Sequence, residues 1–159
     1  MSNDKPIFDK SIAEWQDERS RLNEIVLDGA NLELKRFFSL DSQTYRAGAL
    51  DAPTKELLGL VASLVLRCDD CILYHTIRCH EEGIAADQFK EACSVGLIVG
   101  GSIVIPHLRR AMARWEELEG STILGTSPRR EGAGSGLPGV PSRLGTTGTG
   151  SAAPSIPGA

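Results

Sequence analysis

Two cysteines and a histidine lie close together in the middle of the sequence, as Cys68, Cys71 and His75. Side chains three and four positions apart share one face of a helix, so all three would lie together. They fall near the start of a predicted helix, where the helix dipole favours thiolate over thiol. The pattern is typical of thiol-disulfide chemistry: one thiolate attacks, the second cysteine closes a disulfide, and the histidine moves a proton.

A structural zinc site is the main alternative for these residues. Cys68, Cys71 and Cys79, with His75 or His80, supply enough ligands in number. Structural zinc sites usually take their two ligand pairs from separate elements, whereas these residues all lie on one predicted helix. We therefore favour redox chemistry, and a non-enzymatic, zinc-stabilised or partner-binding scaffold is the alternative.

Glu56 is the one carboxylate early in the apolar helix that precedes the cysteines. If these two helices are antiparallel, Glu56 comes beside His75, although spacing alone does not bring it to the sulfurs. We predict that His80 and His107 are surface or packing histidines. Cys93 is predicted to lie in the core, because a free cysteine packs as a small hydrophobe.

The remaining elements are predicted from caps and apolar periodicity. Six residues of capping type precede segments with helical spacing: Ser11, Asn31, Asp41, Asp51, Asp87 and Ser102. The segment at Asp41 would be a short helix that ends at Gly48, and no segment alternates with period two. The sequence therefore predicts an all-α fold of six or seven helices joined by short turns.

Composition divides the chain near residue 120. The last 40 residues hold 10 Gly and 5 Pro and no aromatic residue, so we expect a disordered tail over 120–159. The body before it carries 14 Lys and Arg against 20 Asp and Glu, which argues against nucleic-acid binding. We expect a compact core over 50–119 and a helical extension over 1–49 that packs on it.

No secretory signal or membrane-spanning run is visible, so we expect a cytoplasmic protein that does not enter a membrane. Thiols stay reduced in that compartment, and a static disulfide framework is not expected there. A close cysteine pair in such a protein is more often catalytic, redox-active or metal-binding.

The residues from about Leu50 to Trp115 resemble the carboxymuconolactone decarboxylase family, and within it the alkylhydroperoxidase D-like branch. The signature is a glutamate, eleven residues, then Cys-x-x-Cys-x-x-x-His, which here is Glu56, Cys68, Cys71 and His75. The later Gly100-Gly101 and the helix after it are also similar to the family.

The resemblance implies an all-helical peroxidase that reduces hydroperoxides and assembles into trimers, hexamers or larger rings. Cys71 would attack, Cys68 would resolve, and His75 with Glu56 would form a proton relay. No metal, haem or flavin is implied, and electrons would come from a lipoyl or thioredoxin-like dithiol protein. Decarboxylase members lack the cysteine pair, so decarboxylation is not expected.

The sequence departs from the family pattern between the two cysteines. Peroxidase members carry a histidine just before the second cysteine, and here that residue is Asp70, next to Asp69. Two carboxylates beside a thiolate would oppose its formation by like-charge repulsion. The departure bears on the peroxidase rate and on the substrate.

The tail poses a separate question. We expect a solvated extension that fold and activity do not need. The alternative is a linker that ends in a docking peptide, and 137–144 is its only apolar and basic cluster. Small helical redox proteins enter bacterial protein shells through such peptides, so cargo of an encapsulin-type nanocompartment is a second hypothesis for location.

Overall fold

The computed structural model describes residues 6–124, with side chains as far as Gly120, and this part of the chain consists of helices and the turns between them, with no strand. The all-α prediction with six or seven helices is confirmed. Short 3-10 turns at Ile7–Asp9 and Ser102–Val104 accompany six α-helices. These are α1 (Ile12–Asp28), α2 (Leu32–Thr44), α3 (Ala52–Leu66), α4 (Asp69–Glu81), α5 (Ala86–Gly100) and α6 (Ile105–Leu124).

Helices α3 and α4 form the centre of the fold. Asp51 caps α3 by accepting a hydrogen bond from the backbone N–H of Thr54, and Pro53 lies in its first turn, where a missing N–H costs nothing. The apolar side chains of α3 pack against α4 and α5, and helix α6 packs on α4. The resulting core contains Leu60, Leu64, Ile72, Cys79, Phe89, Cys93, Val104, Ala111 and Trp115.

A tight connection joins α3 to α4. Arg67 ends α3 in the left-handed conformation, with φ of 58° and ψ of 37°. The N–H of Arg67 donates to the carbonyl of Leu64, and the N–H of Cys68 donates to that of Ser63. These bonds satisfy carbonyls at the end of α3, as helix-ending turns commonly do. The next helix then begins directly with Cys68 as its N-cap.

Helix α1 starts with the predicted capping box of Ser11 and Glu14. It packs on α4 through Trp15, which is buried against Leu73 and Ile77. Helix α2 contains no buried residue.

Three helix starts differ from the sequence prediction. Asp41 begins no helix, because α2 runs through it to Thr44. Helix α5 is capped at Ala85, where the side chain of Gln88 bonds the N–H, so Asp87 lies in its first turn. Ser102 begins a 3-10 turn without a side-chain cap, and α6 follows it. In each case a residue of capping type lies near a helix end without making the cap.

The predicted boundary at residue 120 falls inside α6, which continues to Leu124. The predicted disordered tail and its 137–144 cluster otherwise lie outside the described residues. Within 6–124, no helix is both long enough and apolar enough to cross a membrane.

Candidate functional site

Cys68 and Cys71 are joined as a disulfide at the start of α4, with their Cα atoms 5.3 Å apart. Cys68 is the N-cap, and its sulfur accepts a hydrogen bond from the backbone N–H of Cys71 at 3.4 Å. A donor from the helix end stabilises negative charge on that sulfur. Cys71 is the more exposed of the two residues. In this pair the sulfur of Cys68 is suited to holding charge, and Cys71 is the residue that is more open to solvent.

Glu56 of α3 and His75 of α4 form a buried pair. Nδ1 of His75 lies 2.8 Å from Oε2 of Glu56, and the two residues are 7% and 1% exposed. The antiparallel arrangement of the two helices thus brings Glu56 beside His75. A carboxylate can only accept a hydrogen bond, which assigns the ring hydrogen of neutral His75 to Nδ1 and the lone pair to Nε2. The arrangement orients His75 as a base through Nε2.

Gly59 makes room for the imidazole on the surface of α3. A Cβ atom at this position would lie 2.5 Å from Cε1 of His75 and 2.7 Å from Nε2. Real Cβ atoms do not approach other atoms so closely, and the ring is held on its other side by Glu56. The glycine is therefore required for the position of His75.

Both members of the Glu56–His75 pair have a further partner: Glu56 contacts Arg78, and His75 contacts Tyr45. Nε of Arg78 lies 3.5 Å from Oε1 of Glu56, and Arg78 also pairs with Glu81 and Glu82. The hydroxyl of Tyr45 lies 3.4 Å from Nε2 of His75, at the long end of hydrogen-bonding distances.

Burial raises the pKa of Tyr45, and the charge on Glu56 raises it further. The phenol of Tyr45 therefore stays protonated around neutral pH and can donate its hydrogen to Nε2. This completes a chain of three groups: carboxylate, imidazole and phenol.

The structure brings the four predicted residues together as two pairs. Cys68 is bonded to Cys71, and Glu56 is hydrogen-bonded to His75. Within residues 6–124, no hydrogen bond joins His75 to either sulfur in this disulfide form. The catalytic roles assigned to these residues remain predictions.

Asp69 and Asp70, the carboxylates between the cysteines, both have partners. Asp69 accepts from His107 at 2.6 Å and from Arg110 at 2.9 Å, so its charge faces two basic side chains of α6. Asp70 accepts from Nε1 of Trp15 at 2.9 Å. These contacts offset the repulsion expected from the sequence, and they tie the start of α4 to α6 and α1.

His107 and His80 differ in their surroundings. His107 is more than a packing residue, because it pairs with Asp69, which lies between the two cysteines. His80 makes an edge contact with Trp115, with ring centres 5.6 Å apart, as expected for a packing histidine.

The other two cysteines belong to the core. Cys79 and Cys93 are buried and unbonded, and burial raises the pKa of both thiols to about 12. The core prediction for Cys93 is confirmed. Among residues 6–124, no three His, Cys, Asp or Glu side chains are grouped so that they could hold a metal ion. Cys79, one of the candidate zinc ligands, lies within the apolar core.

Sequence reasoning missed Tyr45 and Gly59. A glycine inside an otherwise apolar helix is a signal of close packing, and Gly59 could have been found that way. Tyr45 carries no such signal, because only the tertiary fold brings the end of α2 to His75.

Comparisons with known proteins agree on one family. The model of the carboxymuconolactone decarboxylase family matches residues 33–114, so the similarity begins earlier than Leu50. Two crystal structures of a Thermotoga maritima protein are similar, with a TM-score of 0.67 for each. One is 57% identical and covers 69% of this chain and 96% of that chain. The other, 53% identical over 72% and 95%, is described as a family member suggested to act in an antioxidative response.

Two more distant relatives extend the comparison. A protein of the cox locus of Paracoccus denitrificans is 29% identical over 63% of this chain and 89% of its own length. A Legionella pneumophila member of the family shares the fold at 24% identity, with a TM-score of 0.57, over 65% of this chain and 91% of that one.

Proposed function

The chain belongs to the carboxymuconolactone decarboxylase family, and from that premise we propose that it is a thiol-disulfide oxidoreductase that reduces hydroperoxides. The observation that carries the proposal is the cysteine pair at the N-terminus of α4, in which Cys71 is exposed, followed on the same helix by His75, which is buried against Glu56 of α3. A decarboxylase would have no use for a dithiol.

The proposed reaction uses both sulfurs. The thiolate of Cys71 attacks one peroxide oxygen, the S–O bond forms, and the O–O bond breaks. The alkoxide that leaves takes up a proton and becomes the alcohol. The sulfur of Cys68 then attacks the sulfenic acid on Cys71, and the disulfide forms with release of water. Two thiols and one hydroperoxide thus give one disulfide, one alcohol and one water.

Cys71 is proposed as the attacking residue because it is the more exposed, and access to the peroxide is the first requirement. Cys68 accepts the N–H of the helix start, which stabilises its thiolate for the second step. His75, ordered by Glu56, would take the proton from the thiol and return it to the leaving alkoxide. A dithiol protein of lipoyl or thioredoxin-like type would reduce the disulfide again by exchange.

Self-association is the second part of the proposal. Many large apolar side chains are exposed on α2, α3, α5 and the 3-10 turn that follows α5, which is unusual for a monomer. They include Leu32, Phe37, Leu40, Leu58, Leu66, Val95, Ile98, Val99 and Ile103. We propose a homo-oligomer built on these faces, which light scattering of the purified protein tests. A monomer at micromolar concentration would contradict it.

The location and the tail stay hypotheses. We propose a cytoplasmic protein, with loading into a protein shell through 137–144 as the alternative. Co-expression of a shell protein with the full chain and with a chain that ends at Leu124 separates the two. Retention of only the full chain supports shell loading, while equal behaviour supports a free protein.

Mass spectrometry of the reduced chain tests the chemistry. One equivalent of tert-butyl hydroperoxide should convert two thiols into a Cys68–Cys71 disulfide, while Cys79 and Cys93 stay reduced. In Cys68→Ser, a sulfenic acid should accumulate on Cys71 and be trapped by dimedone. In Cys71→Ser, oxidation should fall by about 10³-fold or more.

Cys93→Ala is the control variant for these experiments, and the variants and the wild type together can contradict the proposal. A Cys93→Ala variant should react like the wild type, because its thiol lies in the core. Trapping on Cys68 in Cys71→Ser, at the wild-type rate, would reverse the two roles. No oxidation of the wild type by hydroperoxide would contradict the peroxidase proposal, and stoichiometric zinc in the reduced protein would favour the scaffold.

A further inference from the structure

The buried relay needs a route for protons to reach solvent. Glu56 and His75 are 1% and 7% exposed, so water has little direct access to either group. Each turnover of the proposed reaction moves protons onto and off His75. When the thiol loses its proton before a peroxide has bound, no alkoxide is present to take that proton from His75, and a base that is closed off from solvent would hold it.

Tyr45 stands where such a route would begin. It is half-buried, and its hydroxyl is the group that contacts Nε2 of His75, 3.4 Å away. Hydrogen bonds of catalytic groups are often long in resting structures and shorten when substrate binds. The two rings lie 5.2 Å apart and are tilted by 39°.

An open groove is lined in part by Tyr45 and Tyr74. It has a volume of about 360 Å³, and its lining includes Tyr45 and Glu56 together with Asp41, Arg78 and Glu82. The carboxylates of Asp41 and Glu82 can accept a proton that arrives in the groove. Tyr45 thus connects a buried imidazole with a polar opening to solvent.

Lys55 fixes Tyr45 in this position. Its Nζ donates to the carbonyl of Thr44 at 2.8 Å and to that of Arg46 at 2.7 Å, which are the residues on either side of Tyr45. Lys55 belongs to α3, one residue before Glu56. The helix that carries the carboxylate therefore also holds the backbone that carries the phenol.

We propose that the Tyr45 hydroxyl carries protons between Nε2 of His75 and the groove. When His75 is protonated, Nε2–H gives its proton to the phenol oxygen, while the phenol O–H releases a proton to water or a carboxylate in the groove. One proton leaves, the imidazole is neutral again, and the phenol is unchanged. A hydroxyl suits this step because it can donate to the neutral ring and accept from the charged one. The inference rests on the proposed function and adds a positioning and proton-carrying residue to it.

Time courses of oxidation with Tyr45→Phe test the proposal, because this variant removes the hydroxyl and keeps the ring. Disulfide formation by tert-butyl hydroperoxide should be slower by about tenfold or more in dilute buffer. Added imidazole at constant pH should restore the rate, because a small base can enter the groove in place of the phenol. Lys55→Met should show a smaller loss of the same kind.

Tyr74→Phe is the matched control. The Tyr74 ring also packs on His75, with centres 5.1 Å apart, but Arg19 lies over it and its hydroxyl makes no hydrogen bond to the imidazole among the described residues. Its rate should equal the wild type and should not respond to imidazole. A Tyr45→Phe variant with the wild-type rate overturns the proposal. So does a slow variant that imidazole does not rescue, since that result indicates a displaced ring.

Proton exchange gives a measurement that needs no peroxidase activity. The Nε2–H of protonated His75 can be followed by NMR at acidic pH, and its exchange with water should be about tenfold slower in Tyr45→Phe than in the wild type or Tyr74→Phe. Equal exchange rates overturn the role of Tyr45. If the wild type does not react with hydroperoxide but the exchange rates differ, the proposed function fails and the proton route stands.

Discussion

The chain contains two pairs of cysteines whose surroundings are opposite. Cys68 and Cys71 lie at the start of a helix, where a backbone N–H points at one sulfur and solvent reaches the other residue. Cys79 and Cys93 are buried in the apolar core, and burial raises the pKa of both thiols to about 12. All four have the same side chain, so the environment decides which pair can form thiolates.

The largest expected difference between the pairs is in alkylation rate. In the reduced, folded protein at pH 7.5 to 8, the rates for Cys79 and Cys93 with iodoacetamide should be about 10³-fold below the rate for Cys71, because their thiolate fraction is that much smaller. Peptide mass spectrometry measures each site. In urea, all four should react alike, and similar rates in the folded protein would contradict the comparison.

Gly59→Ala should affect the reaction of Cys68 and Cys71 by displacing His75. The new methyl group would overlap the imidazole, so the ring must move away from Glu56. We expect a loss of about 1–3 kcal/mol in the free energy of unfolding and a slower reaction with hydroperoxide. Urea unfolding and the oxidation assay measure both.

Gly120→Ala is the control for that substitution. It also lies in a helix, but its added Cβ would meet no atom within 4 Å among the described residues outside its own stretch of helix. Since alanine has the higher helix propensity, we expect unchanged activity and unchanged or slightly higher stability. A Gly59→Ala variant that behaves in the same way would show that the close approach to His75 does not matter.

The two buried cysteines, Cys79 and Cys93, should make the free energy of unfolding depend on pH in the alkaline range. An exposed thiol of the unfolded chain loses its proton near pH 9, whereas the folded thiols keep theirs up to about pH 12. Between these values the unfolded state binds fewer protons, so the free energy of unfolding falls as pH rises. Urea unfolding at pH 8 to 11 should show a shallower fall in Cys93→Ala than in the wild type, and parallel curves would contradict the raised pKa.

The smallest expected effect concerns the bond that ties the reactive turn to α1. Trp15→Phe removes the indole N–H that bonds Asp70 while keeping most of the apolar contact. We expect a coupling of about 0.5–1.5 kcal/mol with Asp70→Ala in a double-mutant cycle. Urea unfolding of the four proteins measures it, and additive effects would indicate that the bond contributes nothing.

The placement of the cysteine pair and of His75 was predictable because its signals are local. The spacing of Cys68, Cys71 and His75 lies within one helix, and the apolar run with a clear cap at Asp51 placed Glu56 on the helix before it. The antiparallel arrangement then follows from the short connection. Fold class was accessible for the same reason, since each helix carries its own periodicity.

The side chains that contact Asp69 and His75 were not predictable, because they come from distant parts of the chain. His107 and Arg110 reach Asp69 from α6, and Tyr45 reaches His75 from the end of α2. Charge counting alone treated Asp69 as a free carboxylate. Its environment exists only once the helices are packed.

The predicted helix start at Asp41 was wrong for a local reason that sequence patterns describe poorly. Ser42 and Thr44, beyond Asp41, bond back to the carbonyls of Phe38 and Leu40 within α2. Polar side chains near a helix end can bond backbone in either direction, so their presence does not fix where a helix begins.

The left-handed residue Arg67 fixes how α4 is rotated about its own axis relative to α3. Only Arg67 and Cys68 separate α3 from α4, and both N–H groups bond back into α3. Inserting one residue there would rotate α4 by about 100° relative to α3, because a helix turns once in 3.6 residues. The carboxylate, the imidazole and the sulfurs would then face different directions even if both helices formed. The length of this one connection therefore sets how the carboxylate, the imidazole and the sulfurs are oriented relative to one another.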